Sequence, residues 1–264
     1  MRSPRRPPAR SASESHRDFV LKGAGCALLL CPWLLLASAA RADNLHVKFV
    51  PEPKGPGITL DFGFNVAGKA PLTSVAIHFP PGLSYATSAL GMAECSEQRL
   101  EASGLADCPK NSIIGDGTAT VRVPFGAGTL KEMVDLTLFV GHSEGEEQEV
   151  LYYAVGSVPV ISELVFRAEM GTAAAGNAML THIPAIATLP GAPNASVISL
   201  ESRIGPPGLT YTRTAHHHQI RYHPRGMILP RTCPPSGYDF SATFRFEDNT
   251  SSSATRNVSC HSAN

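Results

Sequence analysis

The 264-residue chain predicts an all-β fold: an antiparallel, β-sandwich-like domain of immunoglobulin-like character with one short helix, placed after an N-terminal signal segment. Three observations carry that expectation. Apolar and polar residues alternate in one short run after another, the period of a half-buried strand. The 23 Gly and 22 Pro are spread along the chain as turn punctuation. Four cysteines follow the leader in an even set, as in an exported, disulfide-bridged domain.

The leader has the order of a secretory signal. Arg2, Arg5, Arg6, Arg10, Arg17 and Lys22 stand against Glu14 and Asp18, and the uncharged run AGCALLLCPWLLLASAA follows. That apolar core falls short of the roughly 20 residues a membrane-crossing helix needs, and Pro32 interrupts it. Cleavage is expected after Ala42 or after Ala40, so residues 1–42 read as signal peptide and 43–264 as the extracytoplasmic domain. Contact with a membrane is expected through the signal segment alone. His16 replaces the first arginine of a twin-arginine motif, which favours general secretion. Neither Cys26 nor Cys31 has the surroundings that lipoprotein processing requires.

Removal of the leader takes seven Lys/Arg and two Asp/Glu from a chain with 22 of each, leaving 15 basic against 20 acidic residues. A mildly acidic domain has no positive field for phosphates, which excludes nucleic acid as a partner. Trp33, the chain's one tryptophan, lies in the leader. A carbohydrate platform would therefore have to be built from tyrosine.

The remaining cysteines, Cys95, Cys108, Cys233 and Cys260, allow three pairings, of which sequence position favours Cys95–Cys108 with Cys233–Cys260. Loops of 14 and 28 residues would then be closed. In the chain-entropy model such closures contribute roughly 3 and 3.6 kcal/mol. The second bridge closes a C-terminal hairpin at 231–260 and allows a two-lobed domain. A zinc site is disfavoured because no Cys-x-x-Cys pair is present.

From Asn44 onward the elements follow in order. HVKFV, ITLDFGFNV and TSVAIHF read as strands, with Val75, Ile77 and Phe79 on one face. SEQRLEAS predicts the one short helix, capped by Ser96, ended by Gly104 and facing inward at Leu100. Gly115 and Gly117 allow a bend before Ala119, Val121 and Val123 share a face. MVDLTLFV and an alternating VLYYAVG flank GHSEGEEQE as a hairpin with a hydrophilic tip. SELVFRAEM and SVISLESRI continue the meander. Between them the Ala-, Gly- and Pro-rich stretch 171–193 forms irregular strands or a loop. In YDFSATFRF the residues Phe240, Ala242, Phe244 and Phe246 share a face, and TSSSATRNVSC returns as the partner strand.

Pro80-Pro81-Gly82-Leu83, Cys95-Ser96-Glu97, Cys108-Pro109 with Ile114-Gly115-Asp116-Gly117, and Arg231-Thr232-Cys233-Pro234 before Phe240–Phe244 and Cys260 form a set. This combination resembles a group of uncharacterised, exported actinobacterial proteins of β-sandwich character with paired Cys-Pro turns. The resemblance covers most of the mature chain and implies fold and compartment. It brings no activity and no catalytic residues.

Three patterns invite a function. Gly141-His142-Ser143-Glu144-Gly145 fits the Gly-x-Ser-x-Gly nucleophile elbow, with Asp239 or Asp248 and His261 to complete the order Ser, Asp, His. Against it, Glu146, Glu147 and Glu149 would oppose an oxyanion, and a strand rather than a helix is expected next. His216 and His218 would share a strand face and offer two imidazoles to zinc or copper, without a recognisable third ligand. Tyr211 and Tyr222 beside them could stack on a sugar. Glu144, Glu146, Glu147 and Glu149 lack the spacing of a calcium loop. The reading is a non-catalytic structural or binding module of the envelope with a surface or envelope partner. No catalytic, cofactor or metal residue is assigned. The alternatives are a serine hydrolase using Ser143 and a metal- or carbohydrate-binding module near His216–Tyr222.

Overall fold

Alternation in Leu45, Val47 and Phe49, continued by Leu60, Phe62 and Phe64, puts one apolar row on each of two adjacent strands, and these rows start the core. The computed structural model describes residues 43–51, 57–68, 70–85, 93–144, 147–157, 162–173, 176–188, 190–205, 210–222 and 227–260. The signal segment expected at 1–42 lies outside the described residues.

The strands in chain order are β1 (Asn44–Pro51), β2 (Gly57–Asn65), β3 (Leu72–His78), β4 (Ser84–Tyr85), β5 (Ile113–Phe125), β6 (Gly128–Glu144), β7 (Glu147–Gly156), β8 (Ser162–Ala173), β9 (Gly176–His182) and β10 (Ser196–Ile204). They continue with β11 (Tyr211–Ala215), β12 (His218–Tyr222), β13 (Met227–Ile228), β14 (Tyr238–Phe246) and β15 (Ser251–Val258). Thirteen form one antiparallel sheet in the order β15-β14-β3-β9-β8-β7-β6-β5-β10-β2-β13-β4, with β1 on the free side of β2. β11 and β12 make a separate hairpin. At the centre, β5 to β9 form a meander of sequential antiparallel neighbours.

Two expectations change here. SVISLESRI does not extend the meander beyond β9; it becomes β10 on the far side of β5, where it also pairs with β2. The stretch 171–193 is partly strand, since β8 runs to Ala173 and β9 covers Gly176–His182. The remainder, residues 183–195, carries the chain from β9 to β10; at its ends the Ile183 N–H donates to the Thr73 carbonyl at 2.9 Å and the Ser196 hydroxyl to the Ala70 carbonyl at 3.4 Å, so the crossing starts and finishes beside the β2–β3 connection.

The strand expected at VLYYAVG forms as part of β7, and both of its faces are buried. Val150, Tyr152 and Ala154 face the main core, whereas Leu151 and Tyr153 face a second cluster on the opposite side of the sheet. A strand covered on both faces reads as a continuous apolar run. The cover is helix α1 (Glu97–Ser103), which continues as a 3-10 turn over Gly104–Asp107. The Ser96 hydroxyl accepts the Arg99 N–H at 3.4 Å, and Gly104 ends the helix at φ +61°. Leu100, 1% exposed, packs with Cys95, Cys108, Phe139, Leu151, Tyr153 and Val165. Its burial alone contributes about 1.5–3 kcal/mol. Tyr153 brings its hydroxyl to Gly104, where a Cβ would stand 2.8 Å away. Burial, then the hydrogen bond and charge of Glu163, push its phenol up to about 12.

Cys95 is bridged to Cys108 and Cys233 to Cys260, with Cα–Cα distances of 5.4 and 6.1 Å. The first bridge joins the two ends of the α1 segment, which the Cys95 N–H fastens to the Val140 carbonyl of β6 at 2.8 Å, and the second ties the end of β15 to the approach to β14. Two disulfides suit an oxidising compartment. The two ends of the sheet also meet. Asp43 hydrogen-bonds to the Ser252 hydroxyl and accepts the Ala67 N–H, and Phe49 and Phe64 pack edgewise or tilted on Tyr238 and Phe244 at 5.6 and 5.3 Å between ring centroids.

Candidate functional site

The inner face of the meander is not filled. Ladder registry places Leu200, Ala119 and Val134 in one row, Leu136, Ala154 and Leu164 in the next, and Leu138, Tyr152 and Phe166 in the third. Gly156 and Ser162 stand opposite each other at the end of β7. Where the flanking positions carry Leu, Val or Phe, the middle carries Ala119, Ala154, Gly156 and Ser162, and these small side chains leave a hollow. The crossing segment spans it without filling it, because Ala185, Ala187 and Ala195 again are small. The result is a cavity of about 620 Å³ bounded by β5, β6, β7, β8 and β10 on one side and by residues 183–195 on the other.

Each boundary is held independently of any ligand. The crossing segment is tied to itself by the Ala195 N–H to the Ile186 carbonyl at 2.8 Å and by the Thr188 hydroxyl to the Pro193 carbonyl at 2.9 Å. Ile183 and Ile186 face the hollow from above. At one end Phe166 stacks on Tyr152 at 4.8 Å with 7° between the rings. Burial raises the phenol of Tyr152 far above its ordinary value, so it stays neutral behind Phe166. At the other end Phe125, 60% exposed near the tip of the β5–β6 hairpin, borders the opening.

The wall is apolar apart from a few groups. Glu132 lies opposite Val121 and is 7% exposed, the one charged side chain buried among the described residues. Its carboxylate lies over Gly156, close enough that a Cβ there would collide with it, and that Cβ would stand 2.9 Å from the Ser162 hydroxyl. Thr188 and Glu163 complete the polar lining, and among the described residues that line the hollow there is no Lys, Arg or His. Chemically the arrangement can desolvate a hydrocarbon and present carboxylate and hydroxyl oxygen to one polar end.

The residues singled out from the sequence lie elsewhere. Ser143 sits in β6 opposite Gln148, two residues before a hairpin into β7, so no helix follows it and the strand-to-helix elbow does not form. Asp239 is on β14, where it accepts a hydrogen bond from Asn257, and Asp248 lies in the β14–β15 turn, held by Thr250. His261 lies outside the described residues. His216 and His217 are the two turn residues of the β11–β12 hairpin, at φ +49° and +64°, and His218 opens β12. The expected shared strand face of His216 and His218 is therefore replaced by an exposed turn. Tyr211 and Tyr222 are backbone partners at the base of that hairpin. Glu149 pairs with Arg167 and accepts the His142 N–H, and among the described residues no cluster able to hold a metal ion occurs. Sequence reading missed the hollow. Its available signal was the run of small residues in 183–195 together with Ala119, Ala154 and Gly156. Comparison with protein-family models, with curated proteins and with solved structures found no match.

Proposed function

We propose that the protein is an exported, non-catalytic binding module of the cell envelope, β-sandwich-like in build, that carries a small apolar ligand under its 183–195 crossing segment. The hollow of about 620 Å³ carries this reading. Its size lies within the roughly 300–1,000 Å³ of ligand pockets, and its lining is mostly hydrocarbon with a few placed polar groups. At about 30 Å³ for each water-sized group it has room for roughly 20 such groups. A twelve-carbon chain would gain about 10 kcal/mol on leaving water, before the cost of association is subtracted. The two bridges support the export part of the proposal, and the aromatic pairs between β1, β2 and β14 support the sandwich-like part.

The test is titration of delipidated protein with N-phenyl-1-naphthylamine, whose fluorescence rises on leaving water. Saturable binding at one site is expected. The double variant Ala119→Leu/Ala154→Leu, which fills two neighbouring rows, should weaken it at least tenfold while the circular dichroism of the sheet is retained. Absence of saturable binding to the wild type, or equal binding by the folded double variant, would overturn the proposal.

A further inference from the structure

Resting on that reading, we infer that the tip of the β5–β6 hairpin and the crossing segment form a mouth that docks on a lipid bilayer, from whose acyl layer the ligand enters the hollow without passing through water. The hairpin outruns its neighbours. On the β5 side the last ladder pair with β10 is Arg122 with Ser196, and on the β6 side the last with β7 is Asp135 with Val155. Beyond them Val123, Pro124 and Phe125 pair only with Leu130, Thr129 and Gly128 among the described residues. At about 3.4 Å per residue, the step from Arg122 to Phe125 carries the tip roughly 10 Å past the β10 ladder. An apolar element that lies in a membrane interface enters it by about 5–10 Å. Gly126, at φ +57°, turns the chain together with Ala127, and nothing beyond its chain neighbours lies within 4 Å of where a Cβ on it would stand.

The segment 123–130, VPFGAGTL, carries no charge, and neither does any residue of 183–195. Phe125 is 60% exposed at the opening, and Pro184, Ala185, Ala187, Pro190 and Pro193 of the crossing segment are exposed as well. Both elements lie at one end of the sheet, because the pairing of Ser196 with Arg122 sets the end of the crossing segment beside the rung where the tip begins. Exposed apolar surface of this kind marks an interaction site. A stable protein contact buries about 800 Å² on each partner and sets hydrogen-bonding groups across it. The tip is narrow, and Thr129 holds its one side-chain hydroxyl. A fluid bilayer requires neither area nor polar partners, and a hydrocarbon ligand dissolves there rather than in water. Charge does not drive the docking. Lys131 is exposed, but its ladder partner Arg122 donates to the Gly68 carbonyl at 2.8 Å, and Glu163 is exposed at the start of β8. Residues 43–264 hold 15 basic against 20 acidic side chains, so neutral lipid suffices.

The experiment adds phosphatidylcholine vesicles to the secreted protein, freed of its leader and labelled with nitrobenzoxadiazole through Ala127→Cys, so that emission rises when the tip leaves water. A rise is expected there and none from the same label at Ser253→Cys, on an exposed position of β15. The unlabelled double variant Ala127→Asp/Thr129→Asp places two charges on the tip at exposed positions that do not line the hollow. It should bind vesicles at least tenfold more weakly than the wild type. It should also take N-phenyl-1-naphthylamine from preloaded vesicles at least tenfold more slowly, while binding the free probe as the wild type does. Absence of vesicle binding by the wild type, a silent label at 127 on bound protein, or equal vesicle binding and uptake by the folded double variant would overturn the inference. The label at 127 decides this even if the double variant fails to fold. If the free probe binds saturably and is lost in Ala119→Leu/Ala154→Leu, but vesicles do not bind, this inference falls and the carrier reading stands. If vesicles bind through the tip and no free probe binds, the carrier reading falls, and with it the uptake assigned to the mouth.

Discussion

Ala154→Leu distinguishes a hollow from a packed core by the sign of one number. Ala154 lies between Leu136 and Leu164 in the middle row of the cavity wall and is 6% exposed. Leucine adds three carbons. At about 0.8 kcal/mol for each buried methylene they contribute about 2.4 kcal/mol, from which the ordering of the side chain removes about 0.5–1 kcal/mol. The net gain is about 1.5 kcal/mol for the ligand-free protein. For a domain of this size that raises Tm by about 3–6 °C. The control is the same substitution at Ala242, which is fully buried in β14 among Phe240, Phe244 and the β3 side chains, away from the hollow. Three extra carbons there overpack the core and cost about 1–3 kcal/mol. Calorimetry on delipidated protein should therefore move the two variants in opposite directions. Delipidation matters because a resident ligand would stabilise the wild type by mass action and mask the gain. A fall in Tm for Ala154→Leu comparable to that of Ala242→Leu would show that the space is not there, and with it the carrier reading would fail.

Limited reduction should open the bridges in order. Cys95 and Cys108 are 2% and 7% exposed beneath α1, whereas Cys233 is exposed, so low dithiothreitol followed by peptide mapping should find Cys233–Cys260 alkylated first. Replacing Cys233 and Cys260 together by alanine should cost about 3–4 kcal/mol in urea unfolding, the closure entropy of a loop between cysteines 27 positions apart. Tyr153 makes the fold sensitive to alkali. Its phenol titrates at about 12 in the folded chain against 10 in the unfolded one, so its contribution is complete below pH 10 and is lost between pH 10 and 12. Phenolate absorbance should show a late-titrating tyrosine that vanishes in Tyr153→Phe, and the stability loss across that window should shrink with it. Gly115→Ala should lower the urea midpoint by an amount worth about 2 kcal/mol, because a Cβ there collides with the Arg203 carbonyl of β10.

Local signals in the sequence carried local structure faithfully. Val75, Ile77 and Phe79 are buried on one face as their alternation requires, as are Phe240, Ala242, Phe244 and Phe246. Ser96 and Gly104 bound the helix because each satisfies orphan backbone groups from its own position. Pairing across long separations left no such signal. Nothing near Leu72–His78 states that it will lie between β14 and β9, or near Ser196 that the strand it opens will pair with β5 and β2. The same gap explains β7: its apolar run is explicable only once α1, some fifty residues earlier, is known to cover its outer face.

The candidate site was illegible for a related reason. Residues with obvious chemistry fall near the ends of hairpin strands: Ser143 in β6 close to its turn into β7, and His216 to His218 in an exposed turn, where polar side chains are retained because they are solvated. The hollow is made instead by residues with none, and Ala119 and Ala154 matter because two separate ladders bring them into adjacent rows. Glu132 shows how register turns a silent residue into a site. In Leu130-Lys131-Glu132-Met133-Val134 nothing local states which face the acid takes. A slip of one residue would expose it and bury Met133, but every other side chain of β6 would change faces too. Val134, Leu136, Leu138 and Val140, all buried, would then turn away from the core. At about 1.5–3 kcal/mol each, these four side chains fix the register of the strand. The strand as a whole thus decides which face Glu132 takes, at the wall of the hollow.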